Sequence, residues 1–293
     1  MSAFLSFTVI GIVTGCIYGL TASGLVVTYT TSGIFNFAHG AIGMAAAYTY
    51  WQFHVGWGWP TLPSLVVVLF VVAPLFGAVV ERVLIRPLRG AAVDLTLVVT
   101  LGLLLLLIGA ANAAWSPTEI RRLPQFFAGH SFRVLGIRMS ANEITVIVVA
   151  VLVAVALRLF FSRTRTGIAM RAVVDNPDLV AMAGGPPQRI QQLSWALGAG
   201  LAALAGVLLA PIAQLNILQL TLLVINGYGA AIVGRLRSLP MTILGALVIG
   251  LGQTYLVGYA PGGWLRDINL IIPMIVLFVV LIVLPPARLR LGT

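Results

Sequence analysis

The sequence predicts an all-α, polytopic transmembrane helical bundle of about 8–9 spans, and three observations carry that prediction. Of 293 residues, 60% are hydrophobic and 8% charged, and the mean hydropathy of +1.08 lies outside the range of soluble domains. Apolar runs near 4–28, 36–54, 61–80, 93–115, 142–161, 190–212, 218–234, 240–259 and 268–285 each approach the roughly 20 residues that cross hydrocarbon. Between them the arginines gather at Arg82, Arg86 and Arg89, at Arg163, Arg165, Arg171 and Arg189, at Arg235 and Arg237, and at Arg288 and Arg290. Threading the runs puts every one of these clusters on one side, which the positive-inside rule makes the cytoplasm. Residues 1–293 read as a single transmembrane domain, with a cytoplasmic loop over 162–189 inside it.

The first span carries Gly11, Gly15, Gly19 and Ser23 on one face, and Gly198, Ala202 and Gly206 repeat the spacing in the sixth. Small residues at every fourth position let helix backbones approach, so both stripes read as packing surfaces. Cys16, the single cysteine, excludes an intrachain disulfide. Its neighbourhood, VTGC, is similar to a lipoprotein cleavage site, but the first basic side chain is Arg82, so an uncleaved first span is expected.

Thr30 to Gly43, TTSGIFNFAHGAIG, interrupts an apolar run with glycines, an amide and a histidine, and NGYGAAIVG (226–234) interrupts another in the second half. Paired glycine-interrupted helices point to a translocation path, because unwound backbone at membrane depth persists only where protein or water satisfies it. Asn36, Phe37, His39 and Asn226 are the path candidates. The other reading of Asn36 and His39 is that they cap a tight turn at the cytoplasmic end of the first two spans.

Trp51, Trp57, Trp59, Trp115, Tyr255, Tyr259 and Trp264 mark the opposite, outer interface. The outer loop 116–141 carries Arg121, Arg122, Arg133 and Arg138 against the charge rule, which longer loops obey less strictly. In the loop 162–189, Asn176 is expected to cap a short helix that starts at Pro177, has Asp178 in its first turn and stops at Gly184 and Gly185. Such a helix is too short to stand alone, so it docks on neighbouring helices or a partner.

Composition also excludes functions. The 17 basic residues are all arginine, which rules out a Walker lysine and Schiff-base chemistry in this chain. The net charge of +10 serves membrane orientation, not nucleic acid. The acids sit at loops, so no carboxylate inside the bilayer is available to couple an ion gradient. His39, His54 and His130 are far apart, and no catalytic or metal-ligating set is formed.

GLTASGLVVTYTTSGIFNFAHGAIGMAAAY (19–48), ERVLIRPLRG (81–90), TRTGIAMRAVVDNPDLVAMAGG (164–185) and LGALVIGLGQ (244–253) together resemble the permeases of bacterial branched-chain amino acid ABC importers, the hydrophobic amino acid uptake class. The resemblance spans nearly the whole chain and is to the first permease subunit. It implies a multi-pass inner-membrane protein that pairs with a second related permease, two cytoplasmic ATPases that bind ATP and Mg, and an extracytoplasmic binding protein. No cofactor is implied in this chain. It also implies that the loop from Arg171 to Gly185 holds a coupling helix, with Arg171, Asp175, Asn176, Pro177 and Asp178 at the ATPase contact. Where the family usually has GGLGSLPG, this chain has Arg235, Arg237 and Met241 in place of small residues. Branched-chain amino acids are the expected substrates, with urea, short amides or aromatic acids as the alternative. A stand-alone secondary carrier or channel is the competing class.

Overall fold

The computed structural model describes residues 2–116, 119–134, 137–175, 177–182, 184–259 and 271–283. Helix α1 (Ser2–Ser32) is followed by an irregular segment and by α2 (His39–Trp51), which runs on through a π turn at Gln52–Gly56. Next come α3, a helical run over Thr61–Leu88, and α4 (Val93–Ala114). An outer hairpin of β1 (Ser131–Val134) and β2 (Ile137–Ser140) leads into α5 (Ala141–Arg163). Two short helices, α6 (Arg165–Asp175) and α7 (Pro177–Met182), precede α8 (Pro187–Ala213), α9 (Ile217–Val233), α10 (Leu239–Tyr259) and α11 (Ile272–Val283). Among the described residues six helical runs are long and apolar enough to cross a membrane; α2, α9 and α11 are shorter helices.

Close backbone approach holds the bundle together. α1 packs along α10 and α8 and also touches α9 and α5. A Cβ at Gly15 would come within 2.8 Å of Leu247 Cα, and one at Gly250 within 2.7 Å of Gly15 Cα, so α1 and α10 meet backbone to backbone. α2 and α8 meet in the same way, since a Cβ at Gly43 would lie 2.6 Å from the Ala202 carbonyl oxygen and one at Gly206 would overlap the Gly43 carbonyl. Both small-residue stripes are therefore packing faces. Lipid tails are as apolar as leucine, so contact area gained by removing side chains is what drives such pairs together.

Two places depart from the expected pattern. The second interruption does not fall at 226–234: α9 stays helical through Asn226 to Val233 and breaks after it. There the Leu236 N–H bonds to the Ala231 carbonyl and the Arg235 N–H to the Ile232 carbonyl, both at 2.8 Å, forming a Schellman stop. Arg235 and Leu236 have φ of 51° and 54°, so Arg235 fills the left-handed position that glycine usually takes. The outer loop is also more ordered than expected, since β1 and β2 pair antiparallel with Arg133 opposite Arg138. Ser140 then starts α5 with a reciprocal capping box to Glu143.

α3 contains two π turns, at Val68–Val72 and Glu81–Ile85. The first precedes Pro74, which has no N–H to offer the preceding turn, and the wider turn absorbs the mismatch. The second brings residues five apart onto one face, where an α-helix would point them apart.

Two outcomes test this packing. Gly206→Ala is expected to destabilise the protein by about 1–3 kcal/mol through overpacking, whereas Gly102→Ala, with open space around it, leaves thermal stability in detergent unchanged or slightly raised. Arg235→Gly relieves left-handed strain of about 1 kcal/mol, so its thermal midpoint should rise; an unchanged or lower midpoint would show that the turn is not strained.

Candidate functional site

The interruption after α1 is built by hydroxyls that turn back on their own helix. Thr28 and Thr30 each donate to carbonyls three and four residues earlier, and Ser32 Oγ donates to the Thr28 carbonyl at 2.7 Å. Gly33, with φ of 67°, then stops the helix, and the chain runs irregularly to α2. His39 packs against Gly24 and so lies roughly two helical turns inside the end of α1. The interrupted backbone therefore re-enters the bundle at depth.

Asn36 is 2% exposed and His39 fully buried. Neither side chain caps α2, whose N-cap is Ala38 with no side-chain bond. Asn36 Oδ1 and both ring nitrogens of His39 have no hydrogen-bond partner; the Thr21 carbonyl lies beside the imidazole but out of bonding geometry. Phe37 stacks obliquely on Tyr228 of α9 at 5.2 Å between ring centroids, Phe35 reaches the same ring at 6.1 Å, and the buried Tyr228 hydroxyl is also unpaired. Unpaired polar groups deep in a bundle are costly and mark sites that await a partner.

Asn226 is not part of that group. Positions two apart on a helix face different ways, so with Tyr228 turned to Phe37, Asn226 turns to α10, where its Oδ1 accepts from Gln253 Nε2 at 2.9 Å. Gln253 Oε1 accepts in turn from Tyr18 at 2.7 Å. Asn36, Phe37 and His39 thus share one neighbourhood with Tyr228, while Asn226 belongs to a polar strut joining α1, α9 and α10. Tyr228 and Gln253 were legible only as members of NGYG and LGALVIGLGQ, because neither residue type stands out by itself.

At the arginine-rich end, Thr164 accepts from the Gly167 N–H at 3.0 Å and opens α6. Arg171 donates to the Phe161 carbonyl, and Met170, Val173 and Val180 bury an apolar face against Phe161 and Ile190. α7 ends in a Schellman stop at Gly184 and Gly185, with N–H bonds to the Ala181 and Val180 carbonyls at 3.0 and 2.9 Å. Asp175 ends α6, and Pro177 and Asp178 start α7; the side chains of all three, and Asn176 entirely, lie outside the described residues.

α8 ties this loop to the rest. Gln191 Nε2 donates to the Thr31 carbonyl at 2.9 Å, Thr31 Oγ1 donates to Ser194 Oγ at 2.6 Å, and Ser194 Oγ donates to the Val27 carbonyl at 2.6 Å. Gln192 Nε2 donates to the Ala78 carbonyl at 3.2 Å and its Oε1 meets Arg86 at 3.5 Å. Arg86 and Arg89 in turn clamp the carboxylate of Glu81, 1% exposed, at 2.8 and 3.1 Å. The π turn is what stacks Arg86 over Glu81, which explains the spacing in ERVLIRPLRG.

A family model described as the branched-chain amino acid transport system permease component matches residues 7–284. The chain belongs to this family. This permease is 30% identical over 266 residues to the high-affinity branched-chain amino acid transport system permease protein BraD of Pseudomonas aeruginosa, covering 86% of each chain. It is 26% identical over 288 residues to the LivH permease of Escherichia coli, covering 94% of this chain and 92% of that one. A solved structure, PsaBC from Streptococcus pneumoniae in complex with Fab, shares the fold with a TM-score of 0.54 at 15% identity, covering 98% of this chain and 94% of that chain. The permease is a multi-pass inner-membrane protein and a transport component of an ABC system that works with other subunits.

Replacing both Arg86 and Arg89 with Gln leaves a buried carboxylate without a cation, and a loss of thermal stability is expected. Adding Glu81→Gln should restore most of it, as read by thermal unfolding of purified protein; no rescue would mean the cluster acts through shape alone.

Proposed function

We propose that this permease, paired with a second related permease, forms the path of an importer for branched-chain amino acids or similar small amphipathic substrates. Two cytoplasmic ATPases, which bind ATP and Mg, supply the energy, and an extracytoplasmic binding protein delivers substrate to the outer loops around 116–141 and 259–267. The whole chain acts as one transmembrane domain, with 162–189 as its coupling loop.

The observation that supports this reading is the hydrogen-bonded link from that loop to the broken segment. α8 begins at Pro187, within the last residues of the loop, and Gln191 and Ser194 join it to the end of α1, from which the chain passes directly to Asn36, Phe37 and His39. A rigid α8 moved by an ATPase at Arg171, Asp175, Asn176, Pro177 and Asp178 would pull on the residues that line the path. The amides and imidazole offer donors and acceptors to an amino acid backbone, and Phe37 and Tyr228 offer an apolar wall to its side chain. Asn226 contributes as part of the strut that holds Tyr228 in place.

The test uses the complex in proteoliposomes, with radiolabelled leucine uptake and ATP hydrolysis measured together. Pro177→Gly with Asp178→Gly should preserve hydrolysis while uptake falls at least tenfold, and His39→Ala should lower uptake without breaking this coupling. Leucine flux through the permease in the absence of its ATPases would sink the proposal.

A further inference from the structure

A cavity of about 590 Å³ opens at the cytoplasmic end, away from the path, between α1, α5, α6 and the start of α10. Its walls are layered. α1 contributes Val26 and, one turn nearer the cytoplasm, Thr30; α5 contributes Val155 and then Arg158; α10 contributes Ile243 and, before its first turn, Arg237. Arg171 of α6 closes the polar side. Three guanidinium groups thus share one cavity, all on exposed residues. The ion pairs among the described residues are those of Glu81 and Glu119, so none of the three arginines is matched by a described carboxylate.

We infer that this cavity is a binding site for an anionic phospholipid of the inner leaflet, its phosphate held by Arg158, Arg171 and Arg237. Three like charges around one space repel unless an anion enters it, and a phosphodiester accepts from guanidinium forks at several oxygens. The layering selects the source of that phosphate. The polar groups sit toward the cytoplasm, with the apolar Phe161, Leu239 and Pro240 among them, and the deeper wall is wholly apolar, the same order as headgroup and acyl chain, and basic pockets between helices on this side suit anionic headgroups. The side opening agrees, because Val155 lines the cavity and also belongs, with Val151, Leu152 and Leu159, to an exposed apolar surface of α5 that faces lipid. Arg237, which stands where the family pattern has glycine, gains a role here. Arg171 also bonds the Phe161 carbonyl in the coupling loop, so an occupied site would brace α6 against α5 and α10. The inference depends on the membrane orientation and not on the identity of the transported substrate.

Native mass spectrometry of the purified transporter complex in mild detergent, titrated with phosphatidylglycerol or phosphatidylcholine, tests it. Phosphatidylglycerol should be retained preferentially, and Arg158→Gln and Arg237→Gly should each weaken retention about fivefold. Arg237→Gly carries the family's residue and so keeps the fold. Ala154→Phe, which fills the cavity with all three arginines in place, should weaken retention as well, whereas Arg163→Gln outside the cavity should not. Equal retention by the cavity variants, or equal loss with Arg163→Gln, would overturn the site. Displacement of the lipid by millimolar glycerol phosphate would assign it to a soluble phosphate instead. Uptake measured on the same preparations separates this outcome from the fate of the transport reading.

Discussion

Everything in this bundle depends on how closely its backbones can approach one another. In lipid there is no water to squeeze out between helices, so van der Waals contact and polar pairing must hold them. Gly15 against Gly250 fixes α1 on α10, and Gly43 against Gly206 fixes α2 on α8. With these seams closed, α1 runs through the middle of the bundle, and the polar residues along it are held where their partners can reach them. Tyr18 meets Gln253, and Thr31 meets Ser194.

The start of α8 is the second organising element. Within one helical turn Gln191, Gln192 and Ser194 face two neighbours, α1 and α3. Through Gln192 and Arg86 the buried Glu81 cluster joins the same assembly. A carboxylate removed from water at the cytoplasmic end is tolerable because two guanidinium groups, each about a third exposed, bring their charge to it without being buried themselves.

Much of the fold was legible because hydrocarbon thickness sets helix length, so apolar runs alone delimit the spans. The small-residue stripes were legible as well, since spacing determines which residues share a face. The end of α9 was not: NGYGAAIVG contains three glycines that look like a break, but Gly227 lies against Thr21 and Gly229 against Pro273 and both serve packing inside the helix, while Gly234 is its C-cap. The stop falls instead at Arg235, a residue whose composition gives no hint of a left-handed turn. At the candidate site the break was legible through Gly33, Asn36 and His39, whereas Tyr228 and Gln253 were hidden. Their importance lies in which way a helix happens to face, and that is settled by α10 and the broken segment together. The hairpin was hidden for a similar reason, because strands of four residues leave too short a period to read.

The hydroxyls at the end of α1 give this helix an unusual mechanical property. Thr28 and Thr30 each share their proton between two carbonyls of the preceding turn. Those carbonyls therefore hold a second donor beyond the backbone N–H. If the last turn of α1 bends, a carbonyl that loses its amide partner keeps its hydroxyl, and no acceptor is stranded in hydrocarbon. The segment before Gly33 can thus work as a lubricated pivot, stiff enough to transmit a pull and free of the penalty that makes most membrane helices resist bending.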